Sequence, residues 1–170
     1  MFIIADSGST KTDWVLINEK YNEVDRIRSI GLNPYFHTTE FIINELSNSL
    51  KNILSFKHEI TKFFFYGSGC SSQDKNKIVH DALESHFPSA KINIEHDLIG
   101  AARASLGDQN GITCILGTGS NSCVWENGNV IENIPSHGYV LGDEGSGSYF
   151  GIRILKMYLE GRMDLSLIHI

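Results

Sequence analysis

The chain has little sulfur: Cys70, Cys114 and Cys123 are its only cysteines, odd in number and far apart. That excludes a disulfide framework and a Cys-x-x-Cys metal pair, and it points to a reducing cytoplasm. No run of Lys or Arg is present and the formal net charge is −6. General nucleic-acid binding is therefore not expected. No apolar segment approaches the ~20 residues of a membrane span, and no basic leader precedes the first apolar run, so no membrane partner is expected. The seven histidines form no HExxH or H-x₃-H pair, so no zinc site is expected. His80 and His86, six apart, read as solvated surface. With 41% hydrophobic and 20% charged residues in 170, the composition is that of a soluble globular protein.

Local patterning divides the chain into alternating elements. Residues 2–6 (FIIAD), 13–18 (DWVLIN) and 22–30 (NEVDRIRSI) read as three strands joined by short polar turns, an antiparallel meander. Residues 31–36 (GLNPYF) read as a loop in which Pro34 holds Asn33 extended. Thr38 or Thr39 caps a helix to about Leu54, with Ile42, Leu46, Leu50 and Ile53 as its apolar stripe. Strand 62–67, helix 73–87, strand 91–96 and a short helix from Asp97 to Gly107 follow. Phe63, Phe64 and Phe65 read as core strand, and Cys70 as a small buried residue. The order predicts an α/β domain of three antiparallel strands, then strands made parallel by helical crossovers. From Gly111 the pattern restarts: strand 112–116, a glycine turn, strand 121–127, and an Asn127-Gly128 hairpin turn into residues 129–131. Residues 146–161 predict a helix with Phe150, Ile154, Met157 and Tyr158 on one side.

Two segments share a layout. The run 2-FIIA-5 leads into 6-DSGSTKTD-13, and 112-ITCIL-116 leads into 117-GTGSNSC-123. A glycine-bearing turn after a buried strand exposes backbone N–H groups and lets a phosphate come close. Asp6, at a strand end, can hold Mg²⁺ directly or through water, and Lys11 adds a positive charge. Neither turn is a Walker A or a dinucleotide-binding glycine motif, because a strand pattern follows each. The turns are expected to be equivalent first hairpins of two related domains, facing each other across a cleft. Asp97, in 95-EHDLIGAARAS-105, has two readings: an N-cap for the helix it opens, or a general base for a sugar hydroxyl. Asp143 and Glu144, in 138-GYVLGDEGSGSYFG-151, also have two. They complement the positive end of the following helix, or aim a carboxylate at a polar ligand.

Taken together, 6-DSGSTKTD-13, 95-EHDLIGAA-102, 117-GTGSN-121 and 142-GDEGSG-147 resemble the sugar-kinase/Hsp70/actin superfamily. Within it they resemble the BadF/BadG/BcrA/BcrD-type ATPase family, in its N-acetylglucosamine kinase-like branch. The resemblance runs to about Gly161. It implies a ribonuclease H-like, actin-like ATPase domain over 1–110, the beginning of a second similar domain over 111–161, and a site for ATP, Mg²⁺ and a small sugar. By that resemblance Asp6, Gly8, Ser9, Thr10 and Lys11 form the first phosphate loop, with Asp6 placing Mg²⁺. Gly117, Thr118 and Gly119 form the second. Asp97 is the catalytic base, and Asn33, Ser120, Asn121, Gly138 and Asp143 contact the sugar.

His137 departs from the family, where Trp often precedes the glycine at 138. The family's second domain also continues beyond residue 161 and supplies the adenine pocket. The chain is accordingly expected to be C-terminally truncated and inactive alone, with 162–170 a non-native tail, and the parent a cytoplasmic enzyme, perhaps homodimeric in use of the fold. Two alternatives stay open. One is an ATPase activase of an acyl-CoA dehydratase or reductase, which needs cysteines for an iron–sulfur cluster. The other is a non-catalytic sugar or nucleotide sensor.

Overall fold

A computed structural model describes residues 1–134, 136–163 and 166. It divides into two compact units, Met1–Ala104 and Ser105–Ile170.

In the first unit, β1 (Phe2–Ser7), β2 (Lys11–Ile17) and β3 (Glu23–Ile30) form an antiparallel meander. β4 (Lys62–Gly67) and β5 (Lys91–His96) extend the sheet, β4 parallel to β1 and β5 parallel to β4, giving the order β3-β2-β1-β4-β5. This is the expected ribonuclease H-like arrangement. The period-2 pattern sets its faces. Ile3, Ala5, Trp14, Leu16, Phe63 and Phe65 are fully buried on one face. Phe64, half-buried on the other, sits edge-on to Phe2.

α1 (Thr39–Ser49) and α3 (Gln73–His86) supply the other half of this core through Ile42, Leu46, Val79, Ala82 and Leu83. Thr38 caps α1, its hydroxyl accepting from Phe41 N, and Ser72 caps α3 by accepting from Lys75 N. The single helix expected to Leu54 is broken. Leu50 leaves helical geometry (φ −99°, ψ 26°), and α2 (Lys51–Leu54) continues from it with Ile53 buried. His86 departs from the solvated role expected of it. Its Nε2 lies 3.0 Å from Ile43 O and 3.1 Å from Ser47 Oγ, tying α3 to α1. His80 remains half-exposed beside Asp81 and Glu84. α4 (Asp97–Ser105) follows β5 directly and buries Leu98 and Ala102.

The second unit opens with the same three-strand meander: β6 (Gly111–Leu116), β7 (Ser120–Glu126) and β8 (Asn129–Ile134), all antiparallel. Asn127 (φ 51°) and Gly128 (φ 78°) turn β7 into β8, the left-handed pair that suits a two-residue hairpin. Trp125 is buried and its indole N–H donates to Gly107 O at 3.0 Å. A short α5 (Gly138–Leu141) precedes α6 (Gly147–Leu159), which Ser146 caps by accepting from Tyr149 N. α6 buries none of its residues, and Phe150, Ile154, Met157 and Tyr158 are all exposed. The tail read as non-native falls largely outside the described residues. No helix among them is long and apolar enough to cross a membrane.

Candidate functional site

Parallel pairing brings the first unit's predicted residues to one end of its sheet. The register sets Ser7 beside Gly67 and Gly67 beside His96. The C-terminal ends of β1, β4 and β5 therefore lie in a row, carrying Asp6, the 67–70 turn and Asp97. Ligands of α/β sheets gather at such ends, where loops leave parallel strands.

The first loop, Gly8–Lys11, is closed by a hydrogen bond from Gly8 N to Lys11 O at 2.9 Å. Ser9 and Thr10 are exposed, and their backbone N–H groups have no acceptor among the described residues. Beneath the loop is a buried hydroxyl network. Ser7 Oγ and Thr12 Oγ1 are 2.8 Å apart, Thr12 donates to Ile30 O at 2.8 Å, and Leu32 N donates to Ser7 Oγ at 2.9 Å. Gly31 lies inside this network. A Cβ there would overlap the Gly8 carbonyl oxygen and stand 2.6 Å from Ser9 C and 2.7 Å from Ser9 O. The sequence reading had Gly31 only as the start of a loop.

The carboxyl of Asp6 is pushed up from the usual carboxylate range. Partial loss of hydration is the largest cause, the Asp97 and Asp13 carboxylates add to it, and Lys11 opposes it. The side chain still reaches solvent. A partly desolvated carboxylate with a second one nearby is a hard-oxygen set that a divalent cation would relieve, so these residues fit Mg²⁺. The exposed Lys11 ammonium lies 3.6 Å from Asp13 Oδ2. Asp13 is engaged more closely by Arg28 at 2.7 Å, which lowers its pKa.

Asp97 is the first residue of α4 and is largely buried. Its Oδ1 accepts from Leu98 N at 2.8 Å, and His96 Nδ1 lies 2.8 Å from the same oxygen. An N-cap side chain bonds N–H groups two or three residues on, whereas the partner here is the adjacent residue. α4 is held to the sheet by Arg103, which donates to Tyr66 OH at 3.0 Å and to both oxygens of Glu95. Gly100 packs on Tyr66, whose Cγ a Cβ there would approach to 2.7 Å. Cys70 is buried in the turn after β4, and its thiol is pushed up to about 12, by burial first and the Asp97 charge second. It is no nucleophile at neutral pH.

Asn33 is buried, and its Oδ1 accepts from Tyr35 N at 2.9 Å. Its side chain occupies the space a Cβ on Gly69 would need, and Gly69 has a left-handed φ of 82°. Lys75 pins this turn by donating to Pro34 O at 3.2 Å and lying over the Tyr35 ring.

In the second unit the Gly117–Gly119 loop joins β6 to β7. Gly117 N donates to Gly119 O at 2.9 Å, and the N–H groups of Thr118 and Gly119 have no acceptor among the described residues. The loop's carbonyls are tied down by the start of α6, with Gly147 N donating to Gly117 O at 2.8 Å and Ser148 N to Thr118 O at 3.2 Å. Asp143 is buried in the left-handed region (φ 59°). Its Oδ1 accepts from Ser120 N at 3.1 Å and from the Ser136 hydroxyl, which itself accepts from Gly138 N at 3.2 Å. It thus fastens the 136–138 segment to the loop, while Ser146 caps the helix. A cavity of about 270 Å³ opens beside it, lined by Ser120, Asn121, Ser136, His137, Asp143 and Glu144 among others. Ser120, Asn121 and Asp143 line one cavity, and Gly138 adjoins it next to His137.

Several solved structures are similar to this chain. A Porphyromonas gingivalis protein proposed to be an N-acetylglucosamine kinase is 39% identical, with a TM-score of 0.92 over 98% of this chain and 59% of that one. A Chromobacterium violaceum protein proposed to have the same activity is 21% identical, with a TM-score of 0.67 over 96% of this chain and 60% of that one. A ROK hexokinase from Thermus thermophilus is 13% identical, with a TM-score of 0.58 over 95% and 64%. The last two show the fold alone. The chain spans about three fifths of the length of these proteins. No family model matches the chain, and no curated protein does. The chain has the mixed α/β fold of the actin-like sugar kinases.

Proposed function

We propose that the protein is a sugar kinase of the BadF/BadG/BcrA/BcrD-type ATPase family. In this reading it transfers a phosphoryl group from ATP to a hydroxyl of a hexosamine, N-acetylglucosamine. The observation that carries the reading is the gathering of Asp6, the Ser9–Thr10 N–H groups and Asp97 at the C-terminal end of one parallel strand set. The 39% identity to the Porphyromonas gingivalis protein supports it.

ATP supplies the phosphoryl group, and Mg²⁺ neutralises charge on its oxygens. Asp6 would hold the cation, directly or through water. Ser9 and Thr10 present two N–H groups and two hydroxyls to phosphate oxygens, and Lys11 adds a mobile positive charge. Gly117, Thr118 and Gly119 present a second pair of N–H groups to the same phosphates. Asp97 takes the proton from the attacking sugar hydroxyl through its Oδ2, since Oδ1 is engaged by Leu98 N. Asn33, Ser120, Asn121, Gly138 and Asp143 orient the sugar. Such catalysis rests on positioning and charge stabilisation, which fits a site of backbone turns and carboxylates. The activase alternative needs thiolates for a cluster, and two of the three cysteines, Cys70 and Cys123, are buried.

The test is ADP release over a panel of N-acetylglucosamine, glucosamine, glucose and N-acetylmuramic acid, with protein expressed from its uninterrupted reading frame. N-acetylglucosamine should give the highest kcat/KM. Asp97→Asn should lower kcat by roughly 10²–10⁴-fold with the melting temperature kept. Near-normal kcat in that variant would refute the base assignment.

A further inference from the structure

Asp97 does not stand alone at the end of β5. The side chain of the preceding residue turns back on it, so that His96 Nδ1 lies 2.8 Å from Asp97 Oδ1. Both side chains are mostly withdrawn from water, 28% and 17% exposed. A ring nitrogen and a carboxylate oxygen at that separation must have a proton between them, because two facing lone pairs would repel. Leu98 N is 3.3 Å from His96 Nδ1 but 2.8 Å from Asp97 Oδ1. Its hydrogen belongs to the carboxylate, which leaves Nδ1 free to be a donor rather than an acceptor.

We propose that His96 is a positioning residue for Asp97. Its neutral ring carries the proton on Nδ1 and directs it at Asp97 Oδ1. Oδ1 then receives two hydrogen bonds, from Leu98 N–H and from the ring. That fixes the carboxylate torsion and leaves Oδ2 as the oxygen that meets the sugar hydroxyl. Which imidazole nitrogen holds the proton is set by the partner of the other groups around it, and here the carboxylate is that partner. The inference rests on the reading of Asp97 as the base.

The side-chain amide nitrogen of asparagine falls near the position of Nδ1, and that of glutamine near Nε2. His96→Asn should therefore retain the donor and His96→Gln should lose it. Histidine ring ¹⁵N–¹H correlation spectra of the ligand-free protein should give His96 as the Nδ1–H tautomer, with the His96→Asn spectrum identifying its signal. In the kinase assay, His96→Gln should lower kcat about 10- to 100-fold, the loss expected from one hydrogen bond to a charged group. KM for sugar and ATP should stay near wild type, and His96→Asn should recover most of kcat. An Nε2–H tautomer, an unaffected His96→Gln, or equal losses in both variants would each overturn the proposal. Asp97→Asn is run alongside. If it keeps full turnover the base reading itself fails, whereas loss in Asp97→Asn with an unaffected His96→Gln defeats only the role of His96.

Discussion

Replacing Gly31 with alanine tests whether the first phosphate loop is held from below. The added methyl would overlap the Gly8 carbonyl oxygen and come within 2.6 and 2.7 Å of Ser9 backbone atoms. Ordinary contact begins near 3.4 Å, so something must move by most of an ångström. The colliding atoms are backbone and cannot swing aside as a long side chain would. On the other side, Leu32 N is bonded to Ser7 Oγ, and Ile30 O to Thr12. Gly31 is gripped between two ends of one buried network, and the loop above it is the part free to yield. Overpacking of this kind costs about 1–3 kcal/mol. For a unit of roughly 100 residues each kcal/mol shifts the melting temperature by about 4–8 °C. A loop displaced by ~1 Å would also lose about 100-fold in turnover. Thermal melts, calorimetric titration of ATP·Mg²⁺ and ADP release measure the three effects. Gly117→Ala is the control: its φ is not left-handed, and a Cβ there meets nothing within 4 Å. It should melt normally yet bind ATP more weakly, because only the phosphates would meet the methyl. A Gly31→Ala protein with unchanged melting temperature and unchanged ATP affinity would refute the reasoning.

Asp6 has a raised folded-state pKa, so the folded protein holds that proton more tightly than the unfolded chain. Its contribution to stability is full at pH below the unfolded value and is lost as pH rises through the folded one. Asp6→Asn should therefore gain in melting temperature relative to wild type as pH rises from about 3 to 7. Mg²⁺ should close the gap by stabilising only the wild type; a pH-independent gap would contradict this. Asp143→Ala removes the acceptor of Ser120 N and Ser136 Oγ from a buried position. It should cost about 2–3 kcal/mol in denaturant unfolding. Asp143→Asn, which tolerates positive φ and keeps an acceptor, should cost less, and equal losses would show that the acceptor is not what matters. Iodoacetamide at pH 8 should label the native chain once, at exposed Cys114. Burial raises the pKa of both Cys70 and Cys123, and prompt labelling of Cys70 seen by mass spectrometry would contradict its protected state.

Elements carried by local pattern were legible in the sequence. The alternation in Phe2–Ser7 and Lys62–Gly67 gave their faces, the Ile42–Leu46–Leu50–Ile53 stripe gave the core side of the first helical stretch, and Asn127-Gly128 gave a hairpin. What stayed hidden depends on partners distant in the chain. The break at Leu50 has no glycine or proline to announce it. α5 is four residues between glycines, too short to show a period. His86 contacts Ile43 and Ser47 on another helix, which spacing within α3 cannot reveal. At the site, a carboxylate at a strand end could be recognised as able to act on a ligand. Whether it also fastens two segments, as Asp143 does, depends on Ser120 lying within reach. Gly31 is the sharpest case: it reads as an ordinary loop glycine until Gly8 and Ser9 are found against its α-carbon.

The two loops share a layout but are built rigid by different means. Each closes on itself with one backbone bond, Gly8 to Lys11 and Gly117 to Gly119, and each leaves two consecutive N–H groups without a protein acceptor. Such N–H pairs can receive an anion without reorganising only if the rest of the loop is already fixed. In the first unit fixation comes from close packing, with Gly31 beneath the loop and buried Ser7 and Thr12 hydroxyls at its two ends. In the second it comes from polar clamps, with Gly147 N and Ser148 N on the loop carbonyls and Asp143 on Ser120 N. A packed support resists any enlargement of its residues, whereas a clamped support resists loss of charge or hydrogen bonding. The loops should therefore fail differently. The first is sensitive to a single methyl at Gly31, and the second tolerates one at Gly117 but not removal of the Asp143 carboxylate. A shared sequence layout thus specifies the shape of a phosphate turn while leaving its support to residues elsewhere in each unit.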